Sequence, residues 1–202
     1  MKTLVLATGN KGKLEEMKAA LEGVDVRVLG LGDYGQLPAV AETGTTFREN
    51  AEIKAIEYSR MTGETVLADD SGLAVDALGG APGVFSARFA REGASDAENT
   101  AKLLKKIENF EGGERSACFV CEMAIAEPDG RIIFNASGRC AGRISRKPSG
   151  INGFGYDPVF VPEGFSATFG DLDPEIKRKI SHRAAAMKEI VDFLGLFCGR
   201  AT

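Results

Sequence analysis

In the stretch "TVLADDSGLAVDALGGAPG", residues 65–83, two adjacent carboxylates follow a short apolar run. Carboxylates at the end of a buried strand are costly unless they are paired or bound to a cation. A hard cation such as Mg²⁺ takes oxygen ligands and brings substrate phosphates with it. Neighbours in an extended segment point to opposite sides, so one of Asp69 and Asp70 faces the chemistry. Ser71 and Gly72 then let a substrate approach the backbone. A solvated turn capped by one aspartate has the same composition, so the pair alone leaves both readings open.

A second stretch, "LATGNKGKLEEMK", runs from Leu6 to Lys18. A Walker A loop needs G-x-x-x-x-G-K followed by Ser or Thr. Here Gly12 and Lys13 supply the G-K, but Ala7 holds the first glycine position and Leu14 replaces the hydroxyl. The stretch is therefore not a Walker A loop. It still combines the side chains of Thr8 and Asn10, the glycines Gly9 and Gly12, a helix start and the charge of Lys13, which together suit an anion. An ordinary strand-to-helix turn is the alternative.

Three further stretches carry functional residue types. "AETGTTFRENAEIKA" holds Glu42, able to complete a metal site with an aspartate, and Lys54 on a helix; either is also an ordinary surface charge. "NGFGYDPVF" sets Phe154 between Gly153 and Gly155, leaving its ring open to stack on a flat ligand, or else making it a core residue beside a bulge. "EIKRKISHRAAAMK" gathers Lys177, Arg178, Lys179, His182 and Arg183 around Ser181, a natural N-cap. Cations in a first helical turn oppose the helix dipole, and such broken rules often mark function. The cluster is all donors if His182 presents an N–H, suiting phosphates or carbonyl oxygens; a solvated basic patch is the alternative.

The elements that must position these residues follow from periodicity. "TLVLA" and "TVLA" read as buried strands, the latter ending at Asp69 and Asp70, and "DVRVLGL" as a second strand. Lys13–Leu21 reads as a helix. Thr46 with Glu49, and Ser95 with Glu98, form capping boxes for two more. Residues 114–144 read as two long strands joined by a Pro-Asp-Gly turn, "GYDPVFV" as a short strand, and Ser181 to about Phe197 as the last helix. Strand and helix alternation at the start implies parallel pairing, and the hairpin adds antiparallel strands. The expected fold class is α/β, a mixed sheet flanked by helices, in one domain over 1–202. Ligands in such sheets sit beyond the carboxyl ends of the strands.

With 202 residues, 44% of them hydrophobic, the chain has enough material for one sizeable core. A net charge of −4 argues against gripping a nucleic-acid polymer. No apolar run is long enough for a signal-peptide core or a membrane span, so a soluble cytoplasmic protein is expected. Cys118 and Cys121 lie three apart in a strand, facing opposite sides, which argues against a shared zinc; reduced, mostly buried thiols are expected for these and for Cys140 and Cys198.

Taken in order from Thr8 to Lys188, "TGNKGK", "AETGTTFRENA", "ADDSGLAVDALGGAPGVFSARF", "GFGYDPVF" and "SHRAAAMK" resemble the inosine triphosphate pyrophosphatase family, in its bacterial form. The resemblance implies a homodimer whose elongated mixed sheet carries two lobes around a central cleft. It implies Mg²⁺-dependent hydrolysis of ITP, dITP or XTP to the monophosphate and pyrophosphate, cleansing the nucleotide pool. Thr8, Gly9, Asn10, Lys11, Gly12 and Lys13 match the triphosphate-binding loop, and Lys54 a phosphate-side lysine. Asp70 matches the proton acceptor and a metal ligand, Glu42 a second metal-site acid, and Ser71 a substrate-binding residue. Phe154, Gly155, Tyr156, Asp157, Lys177, His182 and Arg183 match the base-binding segments. A related pyrophosphatase with another base preference, or a non-catalytic nucleotide sensor, would share much of this pattern.

Overall fold

A computed structural model describes residues 2–199. The strands are β1 (Lys2–Ala7), β2 (Val26–Gly30), β3 (Thr65–Val75), β4 (Ser116–Ala126), β5 (Ile132–Ile144) and β6 (Phe160–Pro162). They form one mixed sheet in the order β2-β1-β3-β4-β5-β6. β1 pairs in parallel with β2 and β3, with Leu4 opposite Val28 and Thr65, whereas β5 and β6 are antiparallel. The helices are α1 (Lys11–Ala20), α2 (Phe47–Thr62), α3 (Asp96–Lys106), α4 (Pro174–Ile180) and α5 (His182–Gly199). The expected mixed α/β sheet with flanking helices is what forms, and both capping boxes are present.

The chain divides into two compact units. The first contains residues up to Asp70, Cys121–Gly138 and the chain from Arg183; the second contains Ser71–Val120 and Arg139–His182. In the first unit the two-residue strand period separates two apolar layers. Leu4, Leu6, Leu67, Cys121, Met123 and Ile125 point to one side, with Met17 of α1 and Ile190 and Leu194 of α5. Val5, Ala7, Val66, Ala68, Ala124 and Ala126 point to the other, with Ala51, Ala55 and Tyr58 of α2. In the second unit Phe119, Phe160 and Phe169 pack with Leu73, Leu103, Ile107 and Tyr156. There Arg115, buried, donates to the carbonyls of Ile107 at 2.7 Å, Ile144 at 2.8 Å and Ser145 at 2.7 Å.

Four boundaries differ from the sequence reading. β3 does not end at the aspartates but runs on to Val75, so Asp69 to Gly72 is strand rather than loop. α1 begins at Lys11. "GYDPVFV" is strand only from Phe160, after a 3-10 turn over Asp157–Val159. A separate short helix, α4, precedes Ser181; its signals are Asp173, whose side chain accepts from Glu175 N, and Pro174 in the first turn. Cys121 and Cys140 are buried and Cys118 half-buried, all as free thiols; the side chain of Cys198 lies outside the described residues. No described helix is long and apolar enough to cross a membrane.

Candidate active site

The strand period sends the two adjacent aspartates to opposite faces of β3. Asp69 shares the side of Leu67, where Lys13 of α1 lies 3.0 Å and Arg183 of α5 3.1 Å from its Oδ2. Arg183 is in turn held by Glu16 at 2.5 Å. Burial alone would raise the Asp69 carboxyl, but the charges of Lys13, Arg183 and Lys54 hold it far below the usual carboxylate range. Asp69 is thus a buried anion between two cations.

Asp70 shares the side of Ala68, under α2. Its Oδ2 accepts from Asn50 Nδ2 at 3.2 Å, and its Oδ1 lies 3.3 Å from Lys54 Nζ. The same ammonium is 2.7 Å from Glu42 Oε1. Burial and the charge of Glu42 raise the Asp70 carboxyl despite Lys54. Burial works against the Lys54 charge, but Asp70, Asp69 and Glu42 outweigh it and raise the lysine. Two carboxylates therefore converge on one cation. Mg²⁺ is commonly held by one or two carboxylates together with substrate phosphates and water, so this pair fits Mg²⁺ arriving with a triphosphate. Among the described residues no group of three or more acidic, His or Cys side chains would enclose a metal alone.

In the 8–13 loop the side chains of Thr8 and Asn10 also start the helix. Thr8 Oγ1 accepts from Asn10 N at 3.2 Å, and Asn10 Oδ1 accepts from Lys13 N at 3.0 Å as the N-cap of α1. Gly9 has no positive φ, and a Cβ there would meet nothing within 4 Å, so no backbone strain requires glycine. Lys11 and Gly12 occupy the first turn of α1, where backbone amides point outward along the axis, and Lys13 follows with its ammonium anchored on Asp69.

The second unit gathers the other predicted residues. Lys177, buried on α4, donates to Asp157 Oδ2 at 2.6 Å and lies 4.3 Å from the centre of the Phe154 ring. The same Asp157 oxygen accepts from Phe154 N at 2.8 Å. Gly153 and Gly155 both have left-handed φ, +76° and +60°, and a Cβ on Gly153 would lie 2.0 Å from Asp157 Oδ2. Phe154 is half-buried on a bend, not a core residue beside a bulge. Tyr156 donates to Ser86 O at 2.9 Å. His182, buried, stacks on Phe119 with centroids 4.7 Å apart. Ser71 follows Asp70 on β3 and is half-buried.

The basic stretch is therefore neither a solvated patch nor a pure donor cluster. Lys177, His182 and Arg183 are buried, whereas Arg178 and Lys179 are exposed. Lys177 is matched by an acceptor, Asp157, and the Arg183 guanidinium is bonded within the first unit, to Glu16 and Asp69. Asn50 was missed by sequence reasoning. Its Oδ1 accepts from Gly44 N at 2.8 Å, fixing the amide so that Nδ2 faces Asp70. The available signal was spacing, because Asn50 and Lys54 stand four apart on one helical face.

The family model described as the Ham1 family matches residues 4–193, and the chain belongs to that family. It is 49% identical over 191 residues to a dITP/XTP pyrophosphatase of Desulforamulus reducens, covering 95% of this chain and 94% of the relative. It is 49% identical over 190 residues to the dITP/XTP pyrophosphatase of Bacillus licheniformis, covering 94% and 96%. The structure of a HAM1 protein from Coxiella burnetii is similar with a TM-score of 0.88 at 41% identity, covering 96% of this chain and 98% of that one.

Proposed function

We propose that this protein hydrolyses non-standard purine nucleoside triphosphates, ITP, dITP and XTP, to the monophosphate and pyrophosphate. The observation that carries the reading is the division of labour on β3. Asp69 is buried as a counter-ion for Lys13, while Asp70 is placed with Glu42 and Lys54. The names of the Bacillus and Desulforamulus relatives, dITP/XTP pyrophosphatases, support dITP and XTP among these substrates.

In this reading Asp70 accepts the proton of a water attacking the α-phosphorus in line. Asn50 holds that carboxylate by one oxygen, leaving the other toward Lys54, which also holds Glu42. Lys13, anchored on Asp69, and the first amides of α1 take the phosphate charge. Glu42 and Asp70 would hold Mg²⁺, which neutralises the phosphates and activates the leaving pyrophosphate when bound. The base is assigned to Phe154 for stacking and to Lys177 and His182 for donors toward the 6-oxo group. Adenine presents a 6-amino donor there, and a buried donor left unpaired costs about 1–3 kcal/mol. A homodimer in the cytoplasm is proposed on the family resemblance.

Incubation with ITP and Mg²⁺ is expected to release pyrophosphate, and chelation of the metal to stop it. Release of orthophosphate instead would move the cleavage to the γ-phosphate and overturn the mechanism. Lys177→Ala is expected to raise KM for ITP about tenfold and to narrow the preference for ITP over ATP. The ratio of kcat/KM for the two nucleotides measures this, and an unchanged ratio removes Lys177 from base recognition.

A further inference from the structure

The Phe154 ring is carried on a bend, residues 151–156, in which Gly153 and Gly155 take left-handed φ. Glycines have the widest conformational freedom of any residue, so such a bend holds one shape only if it is tied. Its beginning is tied by Ile151 N and Asn152 N, which both donate to Gly170 O at 3.0 Å, and its end by the Tyr156 hydroxyl on Ser86 O. The peptide that follows the ring is tied from elsewhere. Gly155 N donates at 2.6 Å to Asp96 Oδ2, on the first turn of α3, and the Thr100 hydroxyl one turn on lies 3.5 Å from Gly155 O.

We propose that Asp96 is a positioning residue that sets the orientation of the Phe154 ring and thereby the affinity for the purine. The proposal rests on reading Phe154 as the base platform. Capping does not account for the Asp96 carboxylate. Ser95 Oγ accepts from Glu98 N, and Glu98 Oε2 accepts from Ser95 N at 2.8 Å, so the capping box is complete without it. A hydrogen bond to an ionised acceptor is about twice as strong as a neutral one. Here it fixes the glycine beside the ring, where no side chain is available to do so. Asp96 is bonded to the Gly155 amide beside the ring, so its loss acts on binding of the base rather than on the chemical step.

The test compares steady-state kinetics with ITP and ATP for Asp96→Ala, Asp96→Asn, Phe154→Ala and the double variant Asp96→Ala/Phe154→Ala. Asp96→Ala is expected to raise KM for ITP about tenfold with kcat little changed. Asp96→Asn keeps an oxygen acceptor for Gly155 N and is expected to restore most of the affinity. In the double variant, Asp96→Ala adds no further rise in KM, because both changes act through the same ring. An unmoved KM in Phe154→Ala would overturn the platform reading itself. A moved KM in Phe154→Ala with an unmoved KM in Asp96→Ala would leave the platform standing and overturn the role of Asp96. A fall in kcat matching the rise in KM, additive effects, or no recovery with Asn would also overturn it.

Discussion

Asp70→Asn is expected to lower kcat for ITP by about 10²–10⁴-fold at saturating Mg²⁺, the usual range for losing a general base. The amide keeps the shape of the carboxylate and can still meet Asn50, but it cannot take a proton and is a poor partner for a metal. Folding should survive the change. Burial and Glu42 raise the Asp70 carboxyl, so its ionised form is disfavoured by folding, and a neutral amide relieves that cost. The variant should therefore melt at or above the temperature of the parent protein. Pyrophosphate release and a thermal melt on one preparation check both halves. A near-parental rate would remove Asp70 from catalysis.

Asp69→Asn should do the opposite. Asp69 is 1% exposed and faces both Lys13 and Arg183. Breaking a buried ion pair costs about 3–5 kcal/mol, because the partner charge is left uncompensated. For a chain of this size that lowers Tm by about 10 °C. The sign with pH is also fixed. A carboxyl whose pKa is lowered by folding stabilises the protein above its unfolded value, about 3.9, and that contribution fades as the pH falls further. The Tm gap between parent and variant should thus be full at neutral pH and narrow in acid. Well below its melting temperature, Asp69→Asn should lose less kcat than Asp70→Asn. The reverse order would transfer the base to Asp69.

The contrast between these neighbours shows what the amino-acid pattern could and could not reveal. That adjacent residues on an extended segment face apart is a property of the backbone, and it correctly separated Asp69 from Asp70. That the segment continues as strand to Val75 was hidden, because Asp-Asp-Ser-Gly is a turn composition. Such a sequence stays in a central strand only when each carboxylate is met by partners such as Lys13, Asn50, Lys54 and Arg183. Those partners lie up to 114 positions away, and local propensity carries no record of them. The capping boxes at Thr46 and Ser95 were legible because both halves lie within four residues. The basic stretch from Lys177 to Arg183 looked like a donor cluster because its acceptors, Asp157, Glu16 and Asp69, come from other segments. Thr8 and Asn10 each spend a side-chain oxygen on starting α1, which leaves the Thr8 hydroxyl hydrogen and the Asn10 amide as donors of the type a phosphate takes.

Arg115 has a consequence of a different kind. Its guanidinium joins the end of α3, through Ile107, to the end of β5, through Ile144 and Ser145, segments 8 to 30 residues away, using only carbonyl oxygens. Burial lowers its pKa, but an arginine starts so high that it stays charged wherever the protein is folded. Carbonyls do not titrate either. This junction is therefore indifferent to acidity, unlike the carboxylate pairs of the first unit. Nor would lysine replace it, since one ammonium lacks the planar fork that reaches several carbonyls at once.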